Sequence, residues 1–593
     1  MLHNHFKWPL FRFFLIGFLT TFWASTSFTQ TNYVANTANA FSPGSFNTLI
    51  GPGAGSSGPL TGDRNSFVGY NAGAVVNTGS YNAFLGVDAG RYLTTGSQNV
   101  FMGFGSGLGV AGGSYNIMIG VGTGWGSSSA DGNIFIGHQA GASNTSGSYN
   151  QYMGFQAGYY NTVGYQNLFN GYQSGYANTA GIGNQFIGLQ AGYSNTTAIH
   201  NQFTGYQAGY ANTTGQANYF SGYQAGYRNT TGNRNHIIGY QAGSFTTTAN
   251  ENHFDGYKAG YSNTDGSQNQ FTGYHAGYSN TTGFGNNFSG YMAGYNNIGG
   301  YYNFFAGRHA GYTNTSGFEN IFIGYQTGYY NLNGYENLFI GPRTGYSNTA
   351  GYRNLYVGPS AGFSNTTGHY NLNIGYQAGG YNSDGSTNLY MGHYAGYLNV
   401  NGSLNLIIGD SAGYNNKASN NTMIGRQAGR LLMNGSGNLF IGNRAGYNEQ
   451  ASDRLHIGND ANKIIIYGDM ATGQVLLGNP NPTGYTFKGT RTLNVLGGIL
   501  ADSVRVALSV NWADYVFEKD YRLQPLPELE NYIKANGHLP GIPTQKEVAN
   551  NGIDLAAMNA KLLEKIEELT LHLIALEKLV KQQGLELESR WRK

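Results

Sequence analysis

The stretch NQFTGYQAGYANTTGQANYFSGYQAGYRNTTG, residues 201 to 232, states nearly the same seventeen residues twice. Taking the glycine after the aromatic step as slot zero, it recurs at Gly171, Gly188, Gly205, Gly222 and Gly239, and from Gly69 to Gly409 every step is 17 residues. Gly51 stands 18 before Gly69, and Gly425, Gly442 and Gly458 follow at steps of 16, 17 and 16. A beat that slips only at its ends fits a stack of like turns with modified caps. Seventeen residues with period-2 apolar spacing are too few for a helix pair and suit one coil of a β-solenoid, short strands joined by tight turns. Such a coil cannot bury its apolar face alone, so neighbours complete the core. At about 4.8 Å per coil, the stretch from Gly51 to Gly458 predicts a rod on the order of 115 Å.

Each slot then stacks on itself. Two residues before slot zero, Phe169, Phe186, Phe203, Phe220, Ile237, Phe254 and Phe271 read as an internal ladder. Ala191, Ala208, Ala225 and Ala242, each followed by glycine, mark a tight bend without room for a side chain. The N-T-T-G segment, as in Asn212 to Gly215, closes the coil, because Asn tolerates left-handed backbone and Gly needs no Cβ clearance. A recurring turn also accounts for the N-x-T glycosylation matches. A flat threonine ladder for ice binding is disfavoured, since Thr196, Thr213 and Thr230 give way to Ile298, Leu332 and Val400. One tyrosine per coil, at Tyr176, Tyr193, Tyr210, Tyr227, Tyr261, Tyr278 and Tyr295, forms a candidate ligand strip offering stacking and phenolic hydrogen bonds; the same column also serves to stabilise the stack. Just before slot zero, early coils carry Val68, Leu85 and Met102 and late coils Ile323, Ile340 and Val357, whereas the middle is mostly polar, as at Thr204, Asp255 and Ser289. This side lies opposite the Phe ladder, so its apolar stretches call for cover, most simply from a partner chain.

Only 10% of residues are charged and the formal net charge is +2, with no basic cluster in the repeats, which argues against nucleic acid as a partner. The apolar and aromatic content is too high for a disordered Gly-rich linker. Lys7 and Arg12 precede an apolar run from Phe13 to Ala24 and then small polar residues, the pattern of a secretory signal. That run is shorter than the roughly 20 apolar residues a spanning helix needs, so no transmembrane anchor is expected. The chain has no cysteine, hence no disulfide and no thiolate metal site.

The phrase N-x-F-I-G-x-x-A-G, as at Asn320 to Gly328 with Thr327 for Ala, resembles the repeats in the heads of trimeric autotransporter adhesins. That resemblance covers about residues 47 to 458 and implies a left-handed parallel β-roll of three chains that binds host matrix or other cells. The family's repeat is shorter and lacks the aromatic excess; a single-chain triangular β-helix is the other architecture open. Trp512 to Leu579 resembles the carboxyl-terminal segment of tail-fibre-like and adhesin-like surface proteins of the Bacteroidota. Read from the residues, Asn462 to Gly478 predicts a β-hairpin and the segment from Arg491 to Leu508 continues in strand-like alternation. Pro527 opens a helix ended by Gly537, and Thr544 with Glu547 forms a capping box for a second. A third helix carries Leu555, Leu562, Leu569 and Leu576 every seven residues, alternating with Ile566, Leu573 and Val580, a short coiled-coil seam for oligomerisation.

The expected class is mainly β, a long β-solenoid or β-roll of 17-residue coils followed by a small α/β segment and a carboxyl-terminal coiled-coil helix. The expected boundaries are 1–29 signal peptide, 30–46 cap or linker, 47–458 solenoid, 459–511 β-rich neck, 512–553 small helical segment, 554–583 coiled-coil helix and 584–593 tail. No catalytic, cofactor or metal site is expected. The histidines show no paired ligand spacing, and GFGSGLG at Gly103–Gly109 has no helix after it to make a phosphate loop. Ser503 follows its Asp and lacks the lysine of a self-cleaving tail-fibre chaperone. The expectation is an exported, non-enzymatic surface fibre or adhesin, outer-membrane-associated or extracellular, working as a homotrimer toward a glycan or protein receptor. The alternative is a phage-type tail fibre with receptor or glycan binding, or with a self-cleaving carboxyl-terminal domain.

Overall fold

The computed structural model describes residues 33–35, 44–478, 487, 489–506 and 512–592. The expected signal peptide at 1–29 lies outside the described residues, as does most of 30–46. The chain forms two compact units, Met1–Leu496 and Gly497–Lys593. In the first, β1 (Tyr33–Ala35) pairs with β2 (Thr48–Ile50), and three-residue parallel strands follow one per coil to β25 (Leu439–Ile441), with β26 (Arg454–Asp460) closing a solenoid of about 26 coils. Register is repeat on repeat: Phe186, Phe203 and Phe220 lie side by side in consecutive strands.

In each of these strands from β2 to β25 the middle residue points inward and is fully buried. The ring centroids of Phe186, Phe203 and Phe220 step by 4.8 and 4.7 Å in nearly parallel planes. Each coil closes within one chain around its own buried side chain, so no interlocked partner is needed to bury the core. Two glycines per coil make that closure possible. Gly205 has φ +135, and a Cβ there would stand 2.3 Å from the carbonyl oxygen of Gly222. Gly209, at φ +58, lies so close to the Phe203 ring that a Cβ would meet it at 2.5 Å.

Backbone polar groups outside the strands pair along the stack, in both directions. Gly205 and Gln207 donate back to Ile187 and Leu189 of the preceding coil, each at 2.8 Å. Gly209, Ala211 and Thr213 donate forward to Ala225, Tyr227 and Thr230 at 2.9 to 3.0 Å. This satisfies turn groups that would otherwise carry a desolvation cost.

The asparagines correct the turn reading. Left-handed backbone falls at His200 and Gln207, φ 56 and 51, rather than at Asn212. Asn212 is buried and donates from Nδ2 to Gly215 O at 3.1 Å and to Asn195 Oδ1 at 3.0 Å. A second buried row links the Asn201 amide Oδ1 to the Asn218 backbone N–H at 2.9 Å, and Asn201 Nδ2 to Gly215 O at 2.8 Å. Asparagine is there as an interior clip, holding the two sides of each coil together. Gly215 is dictated by crowding, since a Cβ would lie 2.3 Å from Gly232 O.

One coil breaks the core rule. Asn373 replaces the ring, is fully buried, and neither its Oδ1 nor its Nδ2 finds a hydrogen-bond partner among the described residues. The apolar core divides there, one cluster reaching Tyr356 and Ala361 and the next starting at Ala378 and Tyr390.

Beyond β26 the chain turns antiparallel: β27 (Lys463–Asp469) pairs with β26, β28 (Gln474–Leu477) with β27, and β29 (Leu493–Val495) lies parallel to β28. The expected hairpin thus extends the last coil. The neck expected at 459–511 is divided between the two units at 496/497, and between 496 and 506 no strand is formed.

In the second unit a 3₁₀ turn (Ala513–Phe517) precedes α1 (Leu526–Asn536), with Pro527 inside its first turn and Gly537 at φ 71 ending it. The capping box of Thr544 and Glu547 starts α2 (Gln545–Asn551). The last helix, α3 (Leu555–Trp591), has 37 residues and absorbs the stretch expected as a separate tail. Gly584 costs about 1 kcal/mol in a helix interior, too little to stop one flanked by strong helix formers. No helix among the described residues is long and apolar enough to cross a membrane.

Candidate functional site

The strip Tyr176, Tyr193, Tyr210, Tyr227 lies on the coil flank, but half-buried. Its rings stack at 5.0 to 5.2 Å. Ser244 interrupts the column before Tyr261, Tyr278 and Tyr295 resume it at 5.1 and 5.0 Å. Burial, then neighbouring tyrosines, push the Tyr210 and Tyr295 phenols up, and burial with Tyr160 pushes Tyr176 up to about 12.

The column facing outward is another one. Directly after slot zero, Tyr206, Tyr223, Tyr240, Tyr257, Tyr274 and Tyr291 are 40–43% exposed. They step by 4.9 to 5.2 Å within 8° of parallel. Rings stacked this closely cover one another's faces, so a ligand meets their edges and hydroxyls, while face stacking is used up within the column. The phrase G-Y-x-A-G-Y contains both tyrosines; only the path of the turn distinguishes the outer from the inner.

Between the columns runs a row of amides. Gln190, Gln207, Gln224 and Gln241 each donate Nε2 to the Oε1 of the glutamine below, at 2.9 to 3.1 Å. Lys258, His275 and His309 continue this row. His275 sits against Tyr274, Tyr278, Tyr257 and Tyr295, and burial, then Lys258, holds its imidazole below the usual histidine range.

A third aromatic column lies six residues before slot zero. Phe284, Tyr301, Phe318, Tyr335, Tyr352 and His369 stack at 4.6 to 5.1 Å. In the preceding coils the same slot holds Gln216, Asn233, Asn250 and Ser267, and there a groove of about 780 Å³ opens along the stack. Sequence reading passed over it; the signal was the switch from amide and hydroxyl to ring at Phe284.

At the carboxyl end of the core His456 takes the ring position, edge-on to Phe440 and Tyr467 at 4.9 and 5.0 Å. Its Nε2 lies 3.1 Å from Glu449 Oε2, while Glu449 Oε1 accepts the Gln450 and Ala451 backbone N–H groups at 2.9 Å. Burial opposes the Glu449 charge, but these bonds outweigh it and hold the carboxyl below its ordinary value. Stabilisation from a depressed carboxyl is present above its unfolded value and lost as pH falls through the folded one. Glu449→Gln is therefore expected to lower stability by about 1 kcal/mol at neutral pH, with the difference shrinking as the solution is acidified below about pH 4. Denaturant unfolding at the two pH values checks this.

Among the described residues no group of three or more His, Asp or Glu is placed to hold a metal ion. Ser503 is exposed, and Gly103 to Gly109 form a coil turn. The seam residues of the last helix are open: Leu555, Leu562, Ile566, Leu569, Leu573, Leu576 and Val580 are 44–64% exposed. The helix meets its own unit through a different side, where Tyr515 Oη donates to Glu564 at 2.8 Å and Tyr521 to Glu568.

No protein-family model, curated protein or solved structure matches this chain.

Proposed function

We propose that the chain is an exported, non-enzymatic fibre of the cell surface, an adhesin or surface-structural protein that works as a homotrimer. The observation that carries this reading is the outer face of the solenoid sheet. In the late coils from β17 to β23 both outward positions of each short strand are apolar, with Phe304, Ile321, Ile323, Ile340 and Met391 37–41% exposed. In the early coils Leu85, Met102, Ile117 and Ile136 are 36–47% exposed. Between them the same positions carry residues such as Thr204, Asp255 and Ser289. Contiguous apolar surface of this kind marks an interaction site. The open leucine seam of α3 is a second surface asking for cover, and its heptad spacing suits copies of itself. Three copies follow the resemblance to trimeric adhesin heads. Several identical flanks on one assembly would then gain avidity for a repeated ligand.

Sedimentation of the mature chain tests the assembly. Wild type is expected as a trimer at micromolar concentration and the Leu562→Asp, Leu569→Asp variant as a smaller species. A wild-type monomer would overturn the oligomer, and a dimer the trimer. Export is checked by mass spectrometry of native protein, which is expected to lack the first 24 to 30 residues.

A further inference from the structure

We infer that the groove beside Arg234 and Glu251 is a binding site for a neutral oligosaccharide. This deepens the adhesin reading, on which it rests, by giving a ligand class and a place. The groove exists because the ring column stops. Above it Phe284 stacks on Tyr301 at 5.1 Å and 3°, so one face of the Phe284 ring is covered by the column. On its other side the slot holds Ser267, which has no ring to offer. Phe284, 38% exposed, ends the column one coil beyond Ser267 and Gln268, the last residues that line the polar trough.

The trough is lined by planar polar side chains. Arg234 Nη1 donates to Glu251 Oε1 at 3.2 Å, and Gln268 Nε2 to Glu251 Oε2 at 3.2 Å. Asn233 Nδ2 donates to Asn250 Oδ1 at 3.1 Å. The remaining Arg234 donors and the Gln216 side-chain amide bond to nothing else among the described residues. Amide, guanidinium and carboxylate groups side by side present donors and acceptors in pairs, the pattern neighbouring sugar hydroxyls require, since each both donates and accepts. The apolar C–H face of a pyranose suits the open Phe284 ring. The one cation and one anion of the lining are paired with each other, leaving no surplus charge for an acidic sugar. At about 780 Å³ the space lies within the range of small-ligand sites. A peptide would need apolar pockets or a free strand edge, and this lining offers neither.

The test presents the full mature chain to an array of neutral gluco-, manno- and galacto-oligosaccharides printed beside sialylated and sulfated ones, with calorimetric titration of the strongest neutral ligand. Two variants locate the site. Ser267→Phe extends the ring column into the groove, a change the fold accepts at Phe284 and Phe318, and Phe284→Ala removes the platform. Each is expected to weaken binding about tenfold or more while circular dichroism shows the wild-type melting profile. Absence of any neutral ligand, binding to acidic glycans alone, or wild-type affinity in both variants would overturn the site. The Leu562→Asp, Leu569→Asp chain should keep single-site affinity, so a failed groove and a failed trimer are read separately.

Discussion

Phe203→Ala is expected to destabilise the solenoid by about 3–5 kcal/mol. The ring is fully buried between Phe186 and Phe220, and the Gly209 backbone lies directly against it. Little can move in to fill the space, because the backbone around it is tied to the coils on both sides by hydrogen bonds of 2.8 to 3.0 Å. Removal therefore leaves a cavity as well as losing the transfer energy of the ring. Thr213→Ala, on the coil surface, removes one hydroxyl bond to Thr230 O at 3.0 Å and should cost less than about 1 kcal/mol. Chemical unfolding of the two variants ranks them, and the opposite order would refute the assignment of inside and outside.

The second large effect has the other sign. Asn373→Ile is expected to stabilise the stack by about 2 kcal/mol, because a buried amide without partners carries a desolvation penalty of that order. Ile237 and Ile407 occupy the same position in other coils, fully buried, so the side chain fits the coil. The substitution would also join the two apolar clusters that now end at Ala361 and begin at Ala378. Proteolysis of native protein gives a local readout: cleavage near this coil should slow in the variant. An unchanged cleavage rate together with an unchanged unfolding midpoint would show that Asn373 is already satisfied.

Much of the architecture was legible because a fixed step of 17 residues leaves each slot one set of neighbours. The inward Phe203 column and the outward Ile323 and Ile340 positions follow from that step and strand alternation alone. Between strands alternation gives no guide. Tyr206 and Tyr210 both flank the turn, and only the left-handed backbone at Gln207 and Gly209 decides which ring stands further out. Asn212 was read as a turn residue from its usual preference, whereas the closed coil needs a buried clip, and a three-dimensional closure is invisible to local propensity. The groove was missed for a related reason: Asn233, Asn250 and Ser267 are ordinary singly and matter because, stacked, they line one groove where the ring column stops. At the carboxyl end the helix expected to stop at 583 runs on past Gly584 to Trp591.

The bonds that join Gly205 to Ile187 and Gly209 to Ala225 run from coil to coil along the stack. A load applied to one end of a tethered chain therefore acts on the terminal coil first, while the coils behind it remain stacked. Each coil that lets go frees 17 residues, roughly 60 Å of extended chain. Under tension such a solenoid lengthens in near-equal increments, yielding in successive small steps instead of one abrupt release.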